Sequence, residues 1–193
     1  MTSSITFLAH FNDLSEAQCQ AIVRLRGMVF SKDKTFEELL NAFQAHKMAP
    51  AAERRFFLTV ENHTAWQTNG ETLLANAELF PRDLIIVEDK TLLPIWALAS
   101  VCTLPSRQGE GLGRQTVLKA LAFARENGAC CAFQTDVPEF YARLGCAKVE
   151  NEFCNSAPVE EEKRRMWWCN SVMIHPASAD WPKGKIDLNG PAF

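Results

Sequence analysis

Three of the nine glycines in this 193-residue chain fall within five residues, in Pro105-Ser-Arg-Gln-Gly-Glu-Gly-Leu-Gly113, between an apolar run and a segment with helical periodicity. Such a stretch is suited to holding an anion. Glycine lets backbone approach a phosphate closely, and the first turn of a helix presents N–H groups without intrahelical acceptors at the positive end of its dipole. A pyrophosphate carried by a cofactor is the simplest occupant. The two common nucleotide loops do not fit. A P-loop requires Gly-Lys followed by Ser or Thr, whereas Gly113 is followed by Arg114. A dinucleotide fingerprint requires a third glycine three residues after the second, and that place holds Arg114 counting from Gly109 or Thr116 counting from Gly111.

Downstream, Val117, Leu118, Leu121, Ala122 and Ala124 form a stripe at near-helical spacing, and Gly128 is placed to end the helix. Ala129 to Phe133 has strand length. Asp136-Val-Pro-Glu139 reads as a helix start, with Asp136 as N-cap and Glu139 closing a capping box, and the short helix Val137 to Leu144 stops at Gly145. Gln108 to Gly113, with Pro105 three residues ahead, resembles the acyl-CoA pyrophosphate loop of the GNAT N-acetyltransferase superfamily. Phe140-Tyr141-Ala-Arg-Leu-Gly145 is similar to the Phe-Tyr-x-x-x-Gly motif that follows it there, in the same order and spacing. The likeness covers about residues 54 to 153.

The resemblance implies acetyl-CoA as co-substrate, no metal, and a set of roles. Gln108, Gly109, Glu110, Gly111, Leu112, Gly113 and Arg114 would hold the pyrophosphate. Val101, Cys102 and Thr103, on a strand that splays from its neighbour, would pair with the pantetheine arm and polarise the thioester carbonyl, a familiar source of transition-state stabilisation. Tyr141, the only tyrosine against thirteen phenylalanines, would protonate the departing thiolate, a task suited to a phenol of ordinary pKa about 10. The other reading of Tyr141 is a core ring with a satisfied hydroxyl.

A general base is expected near the acceptor, since a protonated amine must lose a proton before attack. Glu78, inside the apolar strand Ala75-Asn-Ala-Glu-Leu-Phe80, is the first choice; an outward-facing residue in water is the alternative. The side chain of Glu110 reads as solvent-facing. Cys102 lacks a nearby histidine motif and reads as inert packing. The seven cysteines contain no Cys-x-x-Cys pair, and the four histidines (His10, His46, His63, His175) are isolated, so neither a disulfide framework nor a metal site is expected.

Composition suits one globular domain spanning residues 1–193, with 47% hydrophobic and 22% charged residues. A net charge of −3 without a basic stripe argues against nucleic acid as a partner. The run Glu160-Glu-Glu-Lys-Arg-Arg165 reads as a solvated loop. Leu92 to Leu104, broken by Pro94, is too short to span a bilayer, and Met-Thr-Ser-Ser-Ile lacks a basic signal start, so a cytoplasmic, non-membrane protein is expected. A homodimer is the commonest closed assembly.

The supporting elements follow from local signals. Ser4 to Phe11 reads as a strand, and Ser15 to Phe30 and Thr35 to His46 as helices, the second opening on a Thr35/Glu38 capping box. Arg55 to Asn62 and Glu71 to Phe80 read as antiparallel strands joined through an Asn69-Gly70 turn; Leu84 to Val87 pairs with Leu92 to Ile95, and that strand runs on to Thr103. Met166 to Ile174 reads as a last strand. The fold class expected is α/β, a mixed twisted sheet of about seven strands flanked by helices.

Met173-Ile-His-Pro176 with Trp181-Pro-Lys-Gly-Lys-Ile-Asp-Leu-Asn-Gly-Pro191 is similar to the tail of the rhizobial nodulation N-acyltransferases. This implies a tail folding back so that Trp181 and Asp187 line the acceptor pocket; a clasp that only covers the sheet is the alternative. Three activities remain open from sequence: acetyl transfer to a primary amine of a small molecule or peptide, longer-chain acyl transfer to an amino sugar, and non-catalytic acyl-CoA binding.

Overall fold

The computed structural model describes residues 4–31, 33–45, 50–156 and 171–190. His46, the Glu160 to Arg165 run, Cys169, Pro191 and the Met166 to Asn170 part of the expected last strand lie outside the described residues. The chain divides into two compact units, Met1–Leu79 with Ala99–Ala120, and Phe80–Leu98 with Leu121–Phe193.

The first unit contains β1 (Ile5–His10), α1 (Glu16–Phe30), α2 (Phe36–Gln44), β2 (Arg55–Val60), α3 (His63–Asn69), the start of β3 (Leu73–Ile86), the end of β4 (Leu92–Thr103) and the start of α4 (Leu112–Glu126). β1 runs antiparallel to β2, with Ile5 opposite Val60, and β2 antiparallel to β3, with Phe56 opposite Glu78. Caps fix the helix starts. Thr35 and Glu38 form the expected box, and Ser15 with Gln18 forms a second one, Gln18 Oε1 accepting the Ser15 N–H at 2.9 Å. α3 was not foreseen, having a single buried side chain, Trp66, and no apolar period. It is set by its ends: Asn62 Oδ1 accepts the Ala65 N–H at 3.0 Å, and Gly70 closes it at φ +72°. A Cβ at Gly70 would stand 2.7 Å from the Ala17 carbonyl oxygen, so α1 packs against a place only glycine fits.

Ile22, Leu25, Phe43, Phe56, Leu58, Trp66 and Cys102 form the core of this unit. Beside it runs a chain of buried hydroxyls, with Thr6 Oγ1 to Thr59 Oγ1 and Thr59 Oγ1 to Thr116 Oγ1 each 2.6 Å. Thr116 spends its hydrogen on the Leu112 carbonyl at 2.8 Å. Because a hydroxyl has one hydrogen, Thr59 donates to Thr116 and Thr6 donates to Thr59. The first turn of α4 is thereby tied to β2 and β1.

In the second unit, β3 turns into β4 at residues 87–91, with the Ile86 N–H donating to the Thr91 carbonyl at 2.9 Å and Lys90 at φ +62°. It then holds β5 (Cys130–Thr135), α5 (Pro138–Ala142), β6 (Ala147–Val149), β7 (Glu152–Cys154), β8 (Ser171–His175) and β9 (Lys185–Asp187). β5 lies parallel to β4 and antiparallel to β8, which pairs antiparallel with β6; β9 pairs antiparallel with the end of β3 and parallel with β7.

The class is α/β, with mixed, mostly antiparallel strands and helices, as expected. Nine strands occur among the described residues, against about seven foreseen, the excess being three-residue strands near the C-terminus. Glu71 to Phe80 and Leu84 to Val87 are one strand, which carries Pro81 at an exposed position. Asp136 is not the cap of α5. Val137 holds that place without a side-chain cap, Thr135 Oγ1 accepts the Val137 N–H at 3.1 Å, and Pro138 opens the helix. Among the described residues no helix is long and apolar enough to cross a membrane.

Replacing Thr59 with valine keeps the volume but strands the buried Thr6 hydroxyl. Thr59→Val is expected to lower stability by about 1–3 kcal/mol, read as a lower urea midpoint with unchanged m-value. A midpoint equal to wild type would mean that the hydroxyl chain does not fasten α4.

Candidate active site

β4 ends irregularly. Ser100 sits at φ +53°, a left-handed conformation that a non-glycine residue adopts at a cost of about 1–3 kcal/mol. Its carbonyl accepts a hydrogen bond from Asn76 Nδ2 at 2.7 Å, so a side chain of β3 takes up main-chain bonding capacity there. Val101 and Thr103 are half-buried and Cys102 is buried. The Leu104 N–H then donates to the Leu74 carbonyl at 2.7 Å, and a tight turn over Pro105–Arg107 leads into the glycine-rich loop.

The loop has the predicted form. Gly109 and Gly111 stand at φ +86° and +82°, and a Cβ on either would meet nothing within 4 Å. Their backbone is therefore left-handed and open to approach. Gln108, Gly109, Glu110, Gly111 and Arg114 are exposed, while Leu112 is buried against Leu74, Ala75 and Leu104. The Gly111 carbonyl accepts the Gln115 N–H at 3.0 Å, which opens α4. Gly113 is needed for closeness, since a Cβ there would lie 2.8 Å from Thr103 Oγ1. The first turn of α4 thus rests directly on the end of β4. One contributor was missed: Arg107 donates through Nε to Glu110 Oε1 at 2.7 Å and through Nη1 to Glu61 Oε1 at 3.1 Å. That bond holds the Glu110 carboxyl below its ordinary range and bridges the loop to the end of β2. Only the i, i+3 pair was visible in the sequence.

Cys102 is 4% exposed. Burial pushes its thiol up to about 11, with Arg26 and Asn76 opposing the shift. A protonated thiol is a poor nucleophile at neutral pH.

Glu78 does not face water. Residues 73–80 of β3 are buried at every position, so this stretch has no solvent face, and Glu78 is 0% exposed. Its Oε1 accepts Arg54 Nε at 2.6 Å and its Oε2 accepts Arg26 Nη2 at 2.9 Å. Arg54 is itself 1% exposed, donates through Nη1 to the Phe43 carbonyl at 2.9 Å, and stacks 4.4 Å from the Phe11 ring centroid and 4.6 Å from that of Phe43. Burial lowers the Arg54 pKa, and Glu78 opposes that shift. Glu78 can take a proton only if one of these pairs opens. The solvent-facing alternative is corrected.

The remaining predicted residues belong to the second unit. Tyr141 is buried in α5, its ring 4.5 Å from Phe133 and 4.9 Å from Phe140 by centroids. Its carbonyl accepts the N–H groups of Leu144 and Cys146 at 2.8 and 3.2 Å, closing the turn at Gly145. Trp181 donates to Asn151 Oδ1 at 2.8 Å and lines an open cleft of about 550 Å³ together with Glu88, Glu150 and Glu152. Asp187 is absent from that lining. Its carboxylate accepts the Ser156 N–H at 3.0 Å, the Ser156 hydroxyl, and the Asn189 N–H at 2.9 Å. Burial pushes its pKa up, but these bonds outweigh burial and leave it below the ordinary value. Asp187 therefore fastens the tail to the chain end of β7. Among the described residues no group of three or more His, Cys, Asp or Glu is placed to hold a metal ion.

The chain resembles solved structures at low identity. The GNAT N-acetyltransferase YhbS from Escherichia coli, determined in complex with CoA, matches with TM-score 0.63 at 13% identity over 100% of this chain and 96% of that one. A probable N-acyltransferase from Enterococcus faecalis V583 matches with TM-score 0.56 at 14% identity over 75% of this chain, and a GCN5-related N-acetyltransferase from Kribbella flavida with TM-score 0.50 at 17% identity over 75%. The match spans only about a third of those two longer proteins, 32% and 34%. At these identities the likeness is one of fold. The Acetyltransferase (GNAT) family profile matches residues 30–146, more than half of the sequence, and the chain belongs to that family.

Proposed function

We propose that the protein transfers an acetyl group from acetyl-CoA directly to a primary amine of a small molecule or peptide. The observation that carries this reading is the loop: two open left-handed glycines, Gly109 and Gly111, precede the first turn of α4, and Gly113 lets that turn rest on the end of β4. Backbone N–H groups there favour a pyrophosphate. Gln108, Glu110, Leu112 and Arg114 complete the loop, with Arg107 and Glu61 bracing it. Val101, Cys102 and Thr103 would present main-chain groups to the pantetheine arm and thioester. The neutral amine attacks the carbonyl carbon, the N–C bond forms and the C–S bond breaks; Tyr141 gives its phenolic proton to the departing thiolate, the new amide nitrogen gives its extra proton to water, and solvent reprotonates Tyr141. Glu78 enters as the anion that fixes Arg26 and Arg54; acting as the base would require one of its ion pairs to open. Longer-chain transfer to an amino sugar is supported only by the tail, where Trp181 lines a cleft but Asp187 is occupied in holding the turn.

Calorimetry with acetyl-CoA, a long-chain acyl-CoA and NAD tests the donor. Saturable binding of acetyl-CoA is expected, and its absence would overturn the reading. Gly111→Ala, which forces a side chain into the left-handed region, should weaken acetyl-CoA binding about 10-fold or more while the protein stays folded. Tyr141→Phe should keep acetyl-CoA affinity and lower turnover by roughly 10²-fold; unchanged turnover would remove Tyr141 from the mechanism.

A covalent route through Cys102 gives the opposite expectation in alkylation. In the folded protein Cys102 should resist iodoacetamide at pH 8 and react once unfolded. Its folded pKa is raised from 9.0 to about 11, so its contribution to stability is present below pH 9 and lost as the pH rises through 11. Labelling of native Cys102 with loss of activity would restore the covalent route.

A further inference from the structure

The buried group around Glu78 carries two positive charges and one negative. Arg54 is sealed at 1% exposure and Glu78 at 0%, while the Arg26 side chain keeps 15% of its surface. A guanidinium has five N–H donors. Arg26 gives one nitrogen, Nη2, to Glu78, and its buried Nε has no hydrogen-bond partner among the described residues; Nη2 of Arg54 is likewise buried and unpartnered. The rings of Phe43 and Phe56 lie 5.2 and 5.4 Å by centroid from the Arg26 guanidinium carbon. A cation held this way, with one charge that no carboxylate among the described residues offsets, is built to receive an anion.

Its location says which anion. Phe43 and Phe56, the rings against the Arg26 guanidinium, share a core cluster with Cys102, in the β4 segment that the proposed function gives to the thioester. The cofactor's phosphates are accounted for by the loop at Gly109 to Gly113, and the acetyl group is uncharged. The anion must therefore come with the other substrate. A single net positive charge matches a carboxylate, whereas a phosphate would bring close to two negative charges.

We propose that Arg26 is the specificity-determining residue of the acceptor site and binds a carboxylate on the amine substrate, which is therefore an amino acid or another amine bearing a carboxylate. The part of the Arg26 guanidinium that keeps surface takes the carboxylate, while Glu78 holds the fork from behind through Nη2. This inference rests on the acyl-transfer reading above.

The test measures binding to the CoA-saturated protein, so that no turnover is needed. The twenty common α-amino acids and a series of short unbranched ω-amino acids are titrated calorimetrically, each against its own carboxamide. At least one carboxylate is expected to bind about 10-fold or more tightly than its carboxamide. That preference should vanish in Arg26→Gln and return in part in Arg26→Lys, which keeps the charge without the fork. In acetyl-CoA turnover the Arg26→Gln loss should fall on KM for that acceptor more than on kcat. Equal binding of every pair, or binding of no member, overturns the inference. Unchanged CoA affinity and a cooperative melt in both variants show that the fold and donor site are intact. Failure of wild type to bind CoA or acetyl-CoA is the separate result that would sink the acyl-transfer reading itself.

Discussion

The absence of one methyl-sized group at Gly113 governs the architecture of the first unit's site. With no Cβ there, the first turn of α4 settles on Thr103, and any larger residue would begin 2.8 Å from its hydroxyl. The proposed grip on a pyrophosphate depends on that approach, because it fixes where the unpaired N–H groups of α4 stand relative to the end of β4. Two other devices hold the helix in that position. The hydroxyl chain from Thr6 through Thr59 to Thr116 fastens it to β1 and β2, and Leu112 is buried against Leu74, Ala75 and Leu104. The loop can then remain open and glycine-rich without wandering, since its flanks are fixed and Arg107 braces its middle.

The same unit places charge inside its core, and this must be balanced in place. Transfer of isolated ions from water into a protein interior is expensive, and mutual attraction offsets the cost only when the remaining donors and acceptors are occupied. Glu78 meets that condition, with both oxygens engaged. Arg54 meets it in large part, through Glu78, the Phe43 carbonyl and three aromatic faces. Arg26 meets it least, and is the member that retains contact with the surface. An apolar trio of similar shape would stabilise a core at least as well, so the incomplete satisfaction of Arg26 is better explained by recognition than by stability.

What could be read from the sequence was what neighbours in the chain decide. The loop, the helix after it, the Thr35 cap and the Gly128 stop depend on residues within a few positions, and their chemistry is visible as spacing. The buried triad is of another kind. Glu78 meets Arg54 across 24 residues and Arg26 across 52, so a carboxylate in an apolar strand looked equally like a base or a solvent-facing residue. Burial of both faces of β3, which no local pattern announces, removes the solvent-facing reading. The cap of α5 failed for a related reason. Asp136 had the right type and spacing, but Pro138 fixes the helix start one residue later, and Thr135 supplies the acceptor that the expected cap would have provided. Helix α3 escaped notice because its caps and its fit against Ala17 set it, rather than any apolar stripe.

Engagement of Glu78 also bears on which amines the proposed reaction can use. While Glu78 keeps both ion pairs and no other base acts, the amine must reach the thioester already neutral, and its own pKa sets how often that happens. The α-amine of a peptide N-terminus, of ordinary pKa about 8, is neutral roughly one time in 10 at pH 7, whereas a lysine-like amine near 10.4 is neutral about once in 2,500. That difference exceeds two orders of magnitude before any contact is made. Fixing Glu78 between two guanidinium groups makes proton abstraction by it harder and the cation beside it more rigid, and such an exchange suits an acceptor whose anchor is negative. The acid at the other end of the reaction is under no such constraint, because the thiolate that Tyr141 would protonate is generated only after the C–S bond breaks.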